Sequence, residues 1–106
     1  MQLYGHYHRE HFSTTKAVYS RKPIATNLWA SSVAVFEQKN PSFRILQVDK
    51  KTLLPVDWEV HYYDIDEPEN GWNKHYSYKE MFELEDISPV SMLELAEEMA
   101  VDYSLA

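Results

Sequence analysis

Histidines at positions 6 and 8 follow directly on a glycine, in the run Leu3-Tyr4-Gly5-His6-Tyr7-His8. In an extended segment, side chains two residues apart point the same way, so this spacing predicts two imidazoles presented to one side of the chain. Gly5 is expected to let the backbone turn there at no steric cost. Neutral imidazole nitrogen is the commonest protein ligand for zinc and similar metals, and an H-x-H pair can chelate one ion or give one nitrogen to each of two. The same pair also reads as two surface histidines, and its spacing leaves both readings open. With no cysteine in 106 residues, a metal site has only His, Asp, Glu and Asn to draw on.

The other ionisable candidates carry less. His11 opens the stretch after the pair and is expected either near the site, behind the ligands, or on the surface. His61 and His75 are expected in solvent. Arg44 follows Asn40-Pro41 and is expected in a structural ion pair rather than on an anion. No Gly-x-Ser-x-Gly elbow and no phosphate-cradling glycine loop is present, as the chain has two glycines, Gly5 and Gly71. A net charge of -7 argues against a nucleic-acid polymer, whose binding needs clustered Lys and Arg. No run approaches the ~20 apolar residues needed to span a bilayer.

Several elements must position these residues. The composition, 44% hydrophobic and 25% charged, is that of one globular domain. The run "HFSTTKAVY" (11–19) is rich in β-branched and aromatic residues and predicts a strand. "IATNLWASSVAVF" (24–36) is apolar on both alternating faces, as in a strand covered on both sides. "FRILQVD" (43–49) and "LLPVDWEVHYYD" (53–64) flank Lys50 and Lys51 as a hairpin, with Val56, Trp58, Val60 and Tyr62 on the core face. "IDEPENGWNK" reads as a loop, "HYSYKEMFELED" as a short helix, and "SPVSMLELAEEMAVDY" as a longer helix with Ser88 as N-cap and Pro89 at its first position. Met92, Leu95, Ala96, Met99 and Tyr103 fall on one face of that helix. The fold class expected is α+β.

Read together, these runs resemble one branch of the calcineurin-like metallophosphoesterases, the acid sphingomyelinase-like phosphodiesterases. "GHYH" is similar to the GHxH signature that closes their active site. "REHF", the small-residue strand "PIATNLWASSV" and the Asn40-Pro41-Ser42-Phe43-Arg44 loop follow in the family's order. "ILQVD", "VDWEVHYYDID" and the tail "YSYKEMFELEDISPVS" complete the resemblance, which covers nearly the whole chain.

The resemblance implies residues 1–66 as the last strands of a metallophosphoesterase β-sandwich, and residues 67–106 as a small helical tail. It implies a site of two zinc ions hydrolysing a sphingomyelin-like or other choline- or nucleotide-containing phosphodiester, in a secreted or lysosomal setting. By the family pattern, His6 would bind the metal also held by an Asn and another His, and His8 the metal held by a D-x-H pair. Phe36, where the family often has Tyr, would stand beside the substrate head group and offer a π face to a quaternary ammonium, the alternative being a plain core aromatic. The D-x-H, G-D and G-N-H motifs have no counterpart here, so the remaining ligands would come from an N-terminal part of the same enzyme. A non-catalytic subunit or interaction module that keeps the scaffold is the alternative.

Overall fold

The computed structural model describes residues 1–35 and 39–102. Its elements, in chain order, are strands β1 (Gln2–Tyr4), β2 (His11–Lys16), β3 (Pro23–Trp29), β4 (Ser42–Val48), β5 (Pro55–Tyr63) and β6 (Trp72–Ser77), then helices α1 (Tyr78–Phe82) and α2 (Pro89–Val101). The class is α+β as expected. The strands form two three-stranded sheets, ordered β1-β3-β2 and β4-β5-β6.

In the first sheet β3 is central. It pairs parallel with β1, Tyr4 opposite Trp29, and antiparallel with β2, His11 also opposite Trp29. Three residues are too few to hold a strand alone, and β1 exists because β3 supplies its ladder. The small-residue strand ends at Trp29, seven residues short of the expected end at 36, and residues 30 to 35 are irregular. Its central residues, Thr26, Asn27 and Leu28, are buried. Thr26 donates its hydroxyl to the carbonyl of Ile87 at 3.2 Å, and Asn27 donates its amide to Ser13 and Thr15.

The hairpin of β4 and β5 forms as read, with Leu46 opposite Trp58 and Arg44 opposite Val60. Asp49 closes it, its carboxylate accepting from the backbone N–H groups of Lys51 and Thr52 at 2.8 Å each. Those bonds stabilise the charged form and hold its pKa below the usual carboxylate value. Trp58 and Val60 are in the core as expected, whereas Asp57, placed on the wetter face, is 7% exposed. It is buried because its carboxylate accepts the backbone N–H of Lys79 at the start of α1.

The expected helix over 75–86 is corrected at both ends, to Tyr78–Phe82, and the expected loop over 65–74 gives way to a strand from residue 72. Residues 72–77 form β6 against β5, and the helix begins at Tyr78, with Ser77 accepting from the Glu80 N–H as N-cap. Trp72 and Tyr76 suit a pleated surface, and pairing to β5 outweighs the local helical pattern. His75 is therefore exposed, as expected, but on a strand and not at the start of a helix. His61 is half-buried, stacked on Phe43 and bonded to Glu59 at 2.5 Å, so it is not a solvated side chain.

Helix α2 begins at Ser88 and Pro89 as expected, the Ser88 hydroxyl accepting from the Ser91 N–H. It packs on β2 and β3. One buried cluster of Leu28, Trp58, Val60, Tyr78, Ile87, Met92 and Leu95 joins both sheets to the helices. Tyr103 lies outside the described residues.

Candidate functional site

The loop 5–10 that carries both histidines connects the end of β1 to the start of β2. It is not extended. His6 has φ 82° and His8 φ 58°, both left-handed, while Gly5 is not among the positive-φ residues. The expected turning device is thus displaced: a β-carbon on Gly5 would meet nothing within 4 Å, and the histidines take the strained conformations. Such positions are uncommon for non-glycine residues, cost of order 1–3 kcal/mol each, and cluster at functional sites. With two kinks in three residues, the period-of-two argument for a shared direction lapses.

The two imidazoles differ in setting. His6 is exposed, its ring edge-on to Tyr7 at 5.4 Å. His8 is half-buried and lines a cavity of ≈ 270 Å³ with Arg9, Ser31, Ser32, Lys39 and Asn40. Cationic, hydroxyl and amide groups surround the imidazole together with the Glu10 carboxylate, a mixed polar wall whose donors can meet anionic oxygen. Phe36 lies outside the described residues. Ala34 and Lys39, on either side of it in the chain, both line this cavity. His11 stands at the start of β2 with its ring stacked on Trp29 at 4.1 Å.

The last residue of the loop, Glu10, is held most firmly. One carboxylate oxygen pairs with the Arg44 guanidinium; the other accepts the hydroxyls of Tyr76 at 2.6 Å and Tyr78 at 3.0 Å. Arg44 also donates to the Ser31 hydroxyl at 2.8 Å, and Ser31 in turn bonds Ser42. The side chains of Arg44 and Glu10 are only 6% and 16% exposed. Burial pulls the Arg44 pKa below its ordinary value, against the opposing effect of the two tyrosines. Burial pushes Tyr76 and Tyr78 up, so both phenols remain protonated donors to the carboxylate. The structural ion pair expected for Arg44 is therefore present, and it ties the histidine loop to the second sheet and α1.

Glu10, Asn40 and Ser42 also line a second cavity, ≈ 850 Å³, walled on its other sides by aromatic and apolar groups including Phe12, Tyr62 and Met99. The polar and the apolar cavity thus share one wall.

No family profile matches the chain. It is 31% identical over 98 residues to sphingomyelin phosphodiesterase 1 of Caenorhabditis elegans, covering 85% of this chain and 17% of that protein. Against sphingomyelin phosphodiesterase A of Dictyostelium discoideum it is 30% identical over 109 residues, covering 98% of this chain and 19% of that protein. The chain belongs to the acid sphingomyelinase-like phosphodiesterases. The cyclic GMP-AMP phosphodiesterase SMPDL3A of Bos taurus is a further relative, 26% identical over 97% of this chain and 25% of its own length. The chain spans about a fifth of the length of the first two relatives.

Among the described residues, no group of three or more His, Asp or Glu is placed to hold a metal ion. His6 and His8 have the donor chemistry for zinc, and the described side chains do not complete a site around them. Likewise, no helix among the described residues is long and apolar enough to cross a membrane.

In the sequence reading of this sphingomyelinase-like chain Glu10 appears only within the REHF run, with no role, and Tyr76, Tyr78 and Trp29 are given none. Glu10 and the tyrosines lie 66 and 68 residues apart, and no local spacing could have joined them. For Trp29 a signal existed, since it ends the small-residue strand and falls opposite whatever flanks the GHYH run once that strand is placed in the middle.

Proposed function

We propose that the chain is the C-terminal portion of a zinc-dependent phosphodiesterase with a metallophosphoesterase β-sandwich, and that it contributes His6 and His8 to a two-metal site completed by an N-terminal part of the same enzyme. The observation that carries this is the position of His8 on the wall of the polar cavity, beside Arg9, Ser31, Ser32, Lys39 and Asn40. When bound, such metals polarise phosphoryl oxygens and generate a hydroxide nucleophile. This chain's own share would be the two imidazole donors and a cationic, hydroxyl-rich wall for the non-bridging oxygens of a phosphodiester. The names of the relatives support sphingomyelin or a cyclic dinucleotide as the ester, and the resemblance supports a secreted or lysosomal setting. Phe36 would present its ring to a choline-type head group.

The test uses the complete enzyme, with its N-terminal part, assayed on sphingomyelin and on cyclic GMP-AMP with zinc content measured in parallel. His6→Ala and His8→Ala should each lower bound zinc from two per protein and remove most turnover. Two zinc ions retained in the double variant would overturn the ligand assignment. Phe36→Ala should lower turnover of the choline ester while Phe36→Tyr keeps or raises it; an unchanged rate in the alanine variant removes Phe36 from the site. Because the described residues hold no three-donor group, a second reading stands, a non-catalytic interaction module on the same scaffold. Full-length protein without zinc and without turnover on either ester would favour it.

A further inference from the structure

We propose that Trp29 is the positioning residue for the histidine loop, an inference that rests on His6 and His8 acting as ligands. Tyr4, the residue before the loop, and His11, the residue after it, are both register partners of Trp29, one on each side of β3. Their rings stack on its indole, Tyr4 at 4.6 Å and 16° between planes, His11 at 4.1 Å and 14°. The three rings form one stack across the sheet, and the loop begins and ends on it. The Ala30 N–H, next to Trp29, donates to the carbonyl of Tyr4 at 3.2 Å and fixes the entering stem. From the leaving stem the rings continue, His11 to Tyr7 at 6.3 Å and Tyr7 to His6 at 5.4 Å.

Chain length makes such a clamp necessary. Tyr4 and His11 sit two strand spacings apart, about 9.5 Å. The seven steps between them could reach about 24 Å if extended. The loop is therefore more than twice as long as its span requires and must double back, which it does through the left-handed His6 and His8. A slack loop has many ways to double back, and the direction in which its stems leave the sheet selects among them. Only a large flat side chain can cover two rings at once, as the indole does. Glu10 anchors the same end of the loop to Arg44, whereas Trp29 stacks on both stems.

The test is nuclear magnetic resonance on the full chain, first without metal. In the native protein the His11 ring protons should be shifted upfield by the indole, and the backbone shifts of His6 and His8 should report left-handed residues. Trp29→Leu should abolish the first and move the second toward disordered values, and Trp29→Phe should largely restore both. With zinc ions as the probe, the imidazole resonances of His6 and His8 in Trp29→Leu should need roughly 10-fold more metal for half-saturation, the scale of loss seen when support behind a ligand is removed. If Trp29→Leu fails to fold, His11→Val carries the backbone-shift and zinc measurements, because His11 is exposed and contributes half of the stack. A folded variant of either kind that loses the stack yet keeps native His6 and His8 backbone shifts overturns the proposal. No imidazole response to zinc in the native chain would count against the ligand assignment, and the metal-free shifts would then decide the clamp by themselves.

Discussion

Glu10→Gln tests whether the knot at the end of the histidine loop holds the two sheets together. In the native protein its carboxylate faces a guanidinium and two phenol hydroxyls, all with little exposure to water. The amide keeps a single acceptor oxygen: facing the two phenols it sets its NH₂ against the guanidinium, and facing Arg44 it leaves both phenols without their acceptor; either way the Arg44 charge stays uncompensated with little water to screen it. Breaking a buried pair by removing one partner costs about 3–5 kcal/mol, because the remaining charge is uncompensated. A domain of this size has a total stability of about 5–15 kcal/mol, so the loss is a large share of the whole. Urea unfolding, monitored by tryptophan fluorescence, reads it as a fall in midpoint at unchanged slope. Adding Arg44→Met should recover about 2 kcal/mol or more relative to the sum of the single variants, since both charges are then gone. A loss below about 1 kcal/mol for Glu10→Gln, or strict additivity in the double variant, would refute the reasoning: the pair would then be solvated in solution and the loop untethered from the second sheet.

Other expectations are simpler. Tyr76→Phe and Tyr78→Phe each remove one hydrogen bond to a charged acceptor and should cost about 1.5–3 kcal/mol in the same unfolding assay. Met92→Ala empties a fully buried position in α2 and should cost about 2–5 kcal/mol, read as a lowered midpoint in thermal unfolding. Asp86 accepts from the Ser88 backbone N–H at 3.0 Å and from the Ser91 hydroxyl at 2.7 Å, and bonds to Ser88 and Ser91 hold its carboxyl below the usual carboxylate pKa. Its folded pKa is the lower one, so its contribution is complete above the unfolded value of about 3.9 and is lost as pH falls through the folded value. Asp86→Asn should flatten the stability profile in that acid window, and a profile identical to the native one would remove Asp86 as its source. The 106-residue chain alone should take up zinc weakly through His6 and His8 and turn over no aryl phosphodiester, because two donors leave a metal short of ligands; measurable turnover would overturn this.

What the sequence by itself determined were the features set by short range. The hairpin around Lys50 and Lys51, the cap at Ser88 with Pro89 behind it, and the Met92 and Leu95 face of α2 all depend on residues within a few positions of one another, and all were legible. So was the GHYH run, and with it the family, since motif order is a property of the chain and not of its folding. The tertiary structure decided the rest. Residues 72–77 became a strand because β5 offered a free edge, and Gln2–Tyr4 became one because β3 did. Asp57 went inside because α1 needed an acceptor. Glu10 found Arg44, Tyr76 and Tyr78 across more than thirty residues of chain, and Trp29 found both stems of the histidine loop. A buried charge or an unpaired backbone group takes whichever partner the packing brings within about 3 Å, and sequence spacing does not encode that distance.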